Sequence, residues 1–129
     1  MPDDPTILDD DELLRRLHPR WIVRTTDPPK ISSAAFQNFK GFEKLSANLG
    51  SLMTQYTQTW SDLLAGMPGY GIAGLSVGTA RQHGQGVEKS PEPNDPSHVH
   101  VEGPKPKSVQ KKLAKAATEN ILKWPDPPS

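Results

Sequence analysis

Residues 95–117 (DPSHVHVEGPKPKSVQKKLAKAA) contain both kinds of element from which the fold is built. Residues 97–102 place valines between polar side chains, a pattern that predicts a half-buried strand. From residue 108 to about 122, apolar residues recur at helical spacing and predict a final helix. A strand that leads through a proline-containing connector into a helix favours a mixed α+β fold.

The rest of the chain alternates short strand patterns with helical ones. Strands are predicted at 21–23, 31–36, 45–49, 71–77 and 87–89. Helical segments are predicted at 51–65, at 78–83 and at 9–17, where the acidic residues 9–12 supply a cap for the helix. We therefore expect a small, mainly antiparallel sheet packed against two main helices, which begin near Ser51 and Ser108.

The length of 129 residues fits one domain of common size. We expect that domain at 9–124, with a flexible acidic tail at 1–8 and a second flexible tail at 125–129. The chain has no cysteine, which excludes disulfides and thiolate metal sites and suits a reducing cytoplasm. It also has no apolar run of membrane-spanning length and no signal-peptide pattern, so we expect a soluble, cytoplasmic protein.

The formal net charge is zero, but the charges are segregated along the chain. Residues 1–12 are acidic and carry no basic residue, whereas 103–124 carry several lysines. Zero net charge argues against a dedicated nucleic-acid protein. The final helix nevertheless presents Lys111, Lys112 and Lys115, so nucleic-acid binding remains an alternative.

The histidine strand provides the main candidate for chemistry. Strand geometry predicts that His98, His100 and Glu102 share one face. His98 is a candidate general acid or base, because imidazole titrates near neutral pH. The run resembles the His-x-His element of cupin metal sites, but the downstream carboxylate and the preceding glycine of that motif are missing. A third ligand would have to come from His83 or Asp95.

Two histidines fall short of the three protein ligands that catalytic zinc normally has, so a site formed by His98 and His100 is only a weak alternative. We expect no metal and no cofactor. The glycine run at 69–74 matches a dinucleotide-binding string, but a helix precedes it and a strand-like segment follows it. That order is the reverse of what the motif requires.

Basic and hydroxyl side chains provide candidates for binding an anion. Arg24, Ser33 and Lys105 are candidate anion contacts, together with the lysines of the final helix. A solvated helix face explains those lysines equally well. The sequence does not say whether these residues meet in the fold.

Three segments together resemble a group of small bacterial proteins to which we attach no activity. They are LLRRLHPRWIV at 13–23, ISSAAF at 31–36, and the stretch at 95–117. In the pattern of that group, the histidine at the position of His98 recurs and His100 has no fixed counterpart. The resemblance implies a bacterial, single-domain protein and directs attention to His98.

No complete catalytic constellation is present, so our leading hypothesis is a non-catalytic binding or accessory module that acts through a protein partner. The first alternative is a small enzyme acting on a phosphate-bearing or nucleotide ligand, with His98 as acid or base. The second is nucleic-acid binding through the basic C-terminal helix. Whether the protein is an enzyme stays open at this point.

Overall fold

Residues 2–39 and 41–128 are described by a computed structural model. Their eight strands are β1 (Glu12–Leu17), β2 (Ile22–Val23), β3 (Lys30–Ile31), β4 (Lys44–Leu49), β5 (Gly71–Ser76), β6 (Gly86–Lys89), β7 (His98–Glu102) and β8 (Ile121–Lys123). Six strands form an antiparallel sheet in the order β6-β7-β4-β1-β5-β8, and β2 and β3 form a separate antiparallel pair. The predicted α+β class is confirmed.

Helices cover both faces of the six-stranded sheet. In the described residues they are α1 (Gly50–Gln55), α2 (Trp60–Leu63), α3 (Val77–Gln82) and α4 (Lys107–Thr118), with 3₁₀ helices at Pro19–Trp21 and Ser33–Phe36. On one face, Leu13 of β1 belongs to the same apolar cluster as Leu113 of α4. On the other face, Leu14 packs with Met53 of α1 and Leu63 of α2. Burying one such side chain contributes about 1.5–3 kcal/mol.

The prediction of an N-terminal helix at 9–17 is wrong, because this segment contains the central strand β1. Leu13 and Leu14 are both buried, on opposite faces, as a central strand requires. β1 pairs with β5 along its whole length, so strand pairing and burial on two sides outweigh the helix-capping signals. Asp11, predicted to cap this helix, instead accepts a hydrogen bond from the backbone N–H of Ser51 in α1, at 3.1 Å.

The single helix predicted at 51–65 is replaced by the two short helices α1 and α2. Thr57 separates them, and its φ of 56° lies in the left-handed region that non-glycine residues rarely adopt. Thr59 and Asp62 then form a capping box that begins α2. One of the two main helices predicted to pack on the sheet is therefore a broken pair.

The final helix ends four residues earlier than predicted, and the chain then forms β8. Its last helical residue is Thr118, and Ile121 pairs with Ala73 of β5. The carbonyl of Asn120 accepts a hydrogen bond from the backbone N–H of Gly74 at 3.0 Å. β8 thus pairs with the outer side of β5, which a longer helix would leave without a partner strand.

The remaining elements follow the prediction except between β1 and β4. The strands predicted near 45–49, 71–77, 87–89 and 97–102 and the helical turn at 78–83 are confirmed. The strand predicted at 31–36 ends at Ile31, because the Ser32 hydroxyl caps a 3₁₀ helix by accepting from Ala34 N–H at 3.2 Å. The strand predicted at 21–23 is only the two residues of β2, since Trp21 ends a 3₁₀ helix.

Residues 2–8, which the sequence predicts to be a tail, lie against the domain. Ile7 is buried, and the backbone N–H of Asp4 donates to the carbonyl of Val87 at 2.8 Å. Arg81 of α3 forms an ion pair with Asp3 at 3.2 Å. Met1 and Ser129, at the ends of the two predicted tails, lie outside the described residues. In residues 2–39 and 41–128, none of the helices has the length and apolarity needed to cross a membrane.

Candidate anion-binding groove

The two central strands of the sheet separate and leave a groove between them. β1 and β4 pair at only two positions, Leu13 with Leu49 and Leu14 with Asn48. Beyond them β1 follows β5 and β4 follows β7. A cavity of about 680 Å³ opens there, and we name it the Arg15 groove. Its lining residues include Arg15, Phe39, Phe42, Lys44, Ser46 and His100.

Arg15 fills part of the space between the separated strands. Its Nε donates to the carbonyl of Ala35 at 3.1 Å and its Nη1 to the carbonyl of Ser46 at 2.8 Å. Its Cζ lies 5.2 Å from the ring centroid of Trp21, a cation–π contact. Burial, with a smaller effect of neighbouring Arg16, lowers the pKa of Arg15 to about 10, so the guanidinium stays charged at neutral pH.

Arg15 forms no ion pair with a carboxylate in residues 2–39 and 41–128. A guanidinium has five N–H donors, and the two carbonyls account for two of them. Removing a cation from water without a counter-charge costs free energy, which an anion bound in the groove would offset. The groove therefore has a positively charged wall, and no carboxylate of these residues forms an ion pair with its arginine.

The backbone of β4 faces the groove at Ser46. The N–H of Leu49 donates to Ser97 on the β7 side, whereas the carbonyls of Lys44 and Ser46 accept from Phe39 N–H and Arg15 on the opposite side. In an antiparallel strand the N–H and carbonyl of one residue point the same way. The N–H of Ser46 thus faces the groove, where β1 is no longer paired with β4.

Lys44 and His100 extend the polar wall on the same face of the sheet. Ser46 lies opposite His100 in the pairing of β4 with β7, and Lys44 lies opposite Glu102. Burial, followed by the neighbouring His98 and Lys44, lowers the pKa of His100, which favours its neutral imidazole at pH 7. The groove thus combines permanent cations with a neutral hydrogen-bonding ring.

Glu102 competes for the positive charge of Lys44. One of its carboxylate oxygens, Oε2, is buried and has no hydrogen-bond partner among the described residues. Burial and the neighbouring Glu88 raise the pKa of Glu102, whereas Lys44 and Lys105 act in the opposite direction. Lys44 and Glu102 thus influence each other's charge, but they form no ion pair in residues 2–39 and 41–128.

Two phenylalanines form an exposed aromatic pair beside the groove. The rings of Phe39 and Phe42 stack with centroids 5.9 Å apart, and they are 71% and 56% exposed. Backbone hydrogen bonds from Phe39 N–H to Lys44 and from Phe42 N–H to Phe39 hold this loop beside β4. Phe36, which precedes them at three-residue spacing, is instead a core residue. The glycine at position 41 indicates from the sequence that no helix continues through this segment. In the structure the φ of Gly41 is 87°, in the left-handed region.

The predicted alternation of β7 is confirmed, but its two histidines differ in exposure. Val99 and Val101 belong to the apolar cluster on the α4 face. His98 is 5% exposed, its Nδ1 lies 2.8 Å from the carbonyl oxygen of Ser90, and its ring meets that of His100 edge-on at 5.0 Å. His100 lines the Arg15 groove. The catalytic role given to His98 stays a prediction.

The weak metal alternative gains no third ligand in the described part of the chain, where no group of three or more histidine, aspartate or glutamate residues is placed to hold an ion. Asp95, one proposed third ligand, accepts hydrogen bonds from Asn48 Nδ2 at 2.7 Å and Gln58 Nε2 at 3.0 Å. Its other oxygen lies 3.7 Å from Arg16 Nη2. Asp95 therefore anchors the turn before β7 to β4 and to the loop between α1 and α2.

The structure separates the other predicted anion contacts. Arg24 donates to the carbonyl of Pro125 at 2.9 Å, and Lys112 is exposed on α4. Ser33, Lys111 and Lys115 come together at a second cavity of about 640 Å³ between β3 and α4. We name this cavity the Lys111 groove; its polar lining residues are Lys30, Ser32, Ser33, Lys111, Lys115, Thr118 and Glu119.

Lys105 is buried behind the Arg15 groove. Its Nζ donates to the side chain of Asn38 and to the carbonyls of Val101 at 2.9 Å and Gly103 at 3.2 Å. Burial and the charge of Arg15 lower the pKa of Lys105 to about 8. It holds the chain after β7 against the segment that contains Asn38.

Arg15, Lys44 and the two exposed phenylalanines are not among the site residues predicted from the sequence. Arg15 had a usable signal, since it stands with Arg16 inside a leucine-rich segment. Lys44 carries no local signal that distinguishes it from other surface lysines. Comparison of the chain with family models, with curated proteins and with solved structures finds no match.

Proposed function

We propose that the protein is a non-catalytic binding module that acts through a protein partner, and that a negatively charged side chain of the partner enters the Arg15 groove. One observation carries the proposal. Arg15 lines this groove as a cation, and it has no carboxylate partner in residues 2–39 and 41–128. A carboxylate of the partner would supply the missing negative charge and accept hydrogen bonds from the remaining N–H groups of Arg15.

The composition of the groove supports a protein partner. Protein interfaces are enriched in aromatic residues and arginine, and the groove combines Arg15 with the exposed Phe39 and Phe42. A volume of about 680 Å³ is enough for one or two side chains of a partner. The absence of cysteine supports a cytoplasmic location for this interaction.

The test is a selection of random heptapeptides, displayed on phage, against the folded protein. We expect the selected peptides to be rich in aspartate and glutamate. In titrations with synthetic copies, Lys44→Glu should weaken binding by about tenfold or more, because it places like charge beside the incoming carboxylate. Lys111→Glu is the matched control, since it makes the same charge change in the Lys111 groove and should leave affinity unchanged.

Two results would contradict the proposal. One is a selection that yields no preference for acidic residues. The other is binding that Lys111→Glu abolishes and Lys44→Glu does not, which would move the interaction to the other groove.

A second candidate is a small enzyme acting on a phosphate-bearing or nucleotide ligand. The observation that favours it is His100, whose lowered pKa leaves a neutral imidazole, able to accept a proton, beside Arg15 and Lys44. The sequence assigned this role to His98. If this candidate function is correct, the protein should convert a nucleotide or phosphate ester to a product that mass spectrometry detects. The substitution His100→Gln should abolish this activity. Equal turnover by the wild type and His100→Gln would eliminate it.

A further inference from the structure

We infer that the Arg15 groove selects an extended peptide segment in which a carboxylate and an aromatic side chain are separated by one residue. This inference rests on the proposed function, because it concerns the same groove and the same kind of partner. It adds the conformation and the spacing that the partner must have.

The distance between the cation and the exposed ring sets the spacing. Lys44 Nζ lies 5.7 Å from the ring centroid of Phe42. A carboxylate oxygen bound to this ammonium would lie about 2.8 Å from Nζ. A partner ring packed on Phe42 would have its centroid about 4.5–7 Å from that of Phe42. Because the two binding points are only 5.7 Å apart, the two groups of the partner must leave its chain on the same side and close together.

An extended chain meets this requirement at alternate residues. In a strand, residues i and i+2 point to the same side and are separated by about 6.6 Å. Adjacent residues point to opposite sides, so a directly adjacent pair cannot place both groups in the groove. A separation of two residues likewise places the groups on opposite sides of a strand.

The backbone of β4 favours an extended ligand. Ser46 N–H faces the groove at a point where β1 is no longer paired with β4. A carbonyl of an extended peptide can accept from this N–H, as in recognition by strand addition. Arg15 bonds to the carbonyl of the same residue, so one backbone unit places a neutral donor next to a guanidinium.

The occupant is a carboxylate-bearing peptide rather than a nucleotide, because the exposed aromatic pair forms no slot for a base and lies beside the Ser46 N–H, which faces the groove. Phe39 and Phe42 are both mostly exposed, and they stack on each other at an interplanar angle of 27° instead of opposing each other as the two sides of a slot for a base. One outer ring face and one strand edge fit a peptide with a single aromatic side chain.

The experiment compares blocked, fluorescein-labelled peptides of identical composition. Each contains one glutamate and one phenylalanine in a threonine-rich host, with the two residues adjacent, separated by one residue, or separated by two. A fourth peptide has glutamine in place of glutamate at the favoured spacing. We expect fluorescence anisotropy to show the one-residue spacing binding about tenfold tighter than each of the other three peptides.

Variants of the protein locate the binding. Lys44→Gln and Phe42→Ala should each weaken the favoured peptide by about fivefold to tenfold. Lys111→Gln and Tyr56→Ala are matched controls, because Lys111 is an exposed lysine in the Lys111 groove and Tyr56 is 53% exposed, close to the 56% of Phe42. Both controls should bind like the wild type, and circular dichroism should show all four variants folded.

The outcomes separate the inference from the proposed function. If acidic peptides bind with equal affinity at all three spacings and Lys44→Gln weakens them all, the inference is wrong and the proposed function stands. If none of the peptides binds while adenosine monophosphate shifts the amide resonances of Lys44 and Ser46, both are wrong and the nucleotide alternative replaces them.

Discussion

The two grooves of this protein have similar volumes, about 680 Å³ and 640 Å³, and both are lined by positive charge. They differ in how that charge is held. In the Arg15 groove the guanidinium is fixed by two backbone carbonyls and is close enough to buried Lys105 to lower the pKa of that lysine. In the Lys111 groove, Lys111 and Lys115 are exposed on α4. A fixed cation is already desolvated and oriented for an anion, whereas an exposed lysine must lose water and side-chain freedom first.

The largest expected effect is on stability at Arg15. Arg15→Ala should lower the free energy of unfolding by about 2–4 kcal/mol, because it leaves the carbonyls of Ala35 and Ser46 without these donors and opens the space between β1 and β4. Urea denaturation measures the difference. A loss below about 1 kcal/mol would mean that water replaces the guanidinium easily and that the arginine is not a structural part of the groove.

The next effect is a pH dependence that originates at Lys105. Its pKa is about 8 in the folded protein against 10.5 for an ordinary lysine. Between these pH values the unfolded chain therefore binds more protons than the folded protein, and the free energy of unfolding should increase as pH rises. The increase over the window should reach about 2 kcal/mol relative to Lys105→Met.

The control for this effect is Lys115→Met, which removes an exposed lysine from the Lys111 groove. Its stability should run parallel to that of the wild type between pH 7.5 and 10. If the free energies of unfolding of the wild type and Lys105→Met also change in parallel with pH, the environment of Lys105 does not lower its pKa. The contrast between buried and exposed cations would then rest on Arg15 alone.

A smaller effect concerns salt and tests the nucleic-acid alternative. An oligothymidylate bound through Lys111, Lys112 and Lys115 should lose about tenfold in affinity between 50 and 200 mM salt, because each phosphate contact releases counterions. A peptide with one carboxylate in the Arg15 groove should lose less than about threefold. Fluorescence anisotropy measures both. Oligonucleotide binding that survives the combined Lys111→Gln, Lys112→Gln and Lys115→Gln changes would place the contact outside this lysine cluster.

The smallest expected effect is on stability in the Lys111 groove. Lys111→Ala and Lys115→Ala should each change the free energy of unfolding by no more than about 0.5 kcal/mol, because neither lysine forms an ion pair within residues 2–39 and 41–128. The measurement is the same urea denaturation as for Arg15→Ala. A loss above about 1 kcal/mol in either variant would show that this groove also has fixed cations.

Elements with a strong local pattern were predicted from the sequence, and elements decided by their neighbours were not. The alternation in β7 identified its buried valines and its polar face, because side-chain direction in a strand follows from the backbone alone. β1 was mistaken for a helix because its acidic start imitates a helix cap. Its pairing with β4 and β5 depends on residues 34 to 64 positions away, which no local pattern contains.

The candidate site shows the same division. The sequence selected the histidine strand, and His100 of that strand does line the Arg15 groove. It did not select Arg15 or Lys44, because an arginine becomes significant here only through the separation of two strands. Ser33, Lys111 and Lys115 were selected as anion contacts for their chemistry, and the fold brings these three together at the Lys111 groove.

The sequence by itself determined the α+β class, the strand with alternating histidines and valines, and the basic helix α4, because each follows from side-chain spacing along one segment. Tertiary structure decided that β1 is the central strand, that it separates from β4 beyond two residue pairs, and that Arg15 occupies the gap. The physical reason is that strand pairing and burial are properties of distant segments in contact. A charge acquires its environment only when those segments meet.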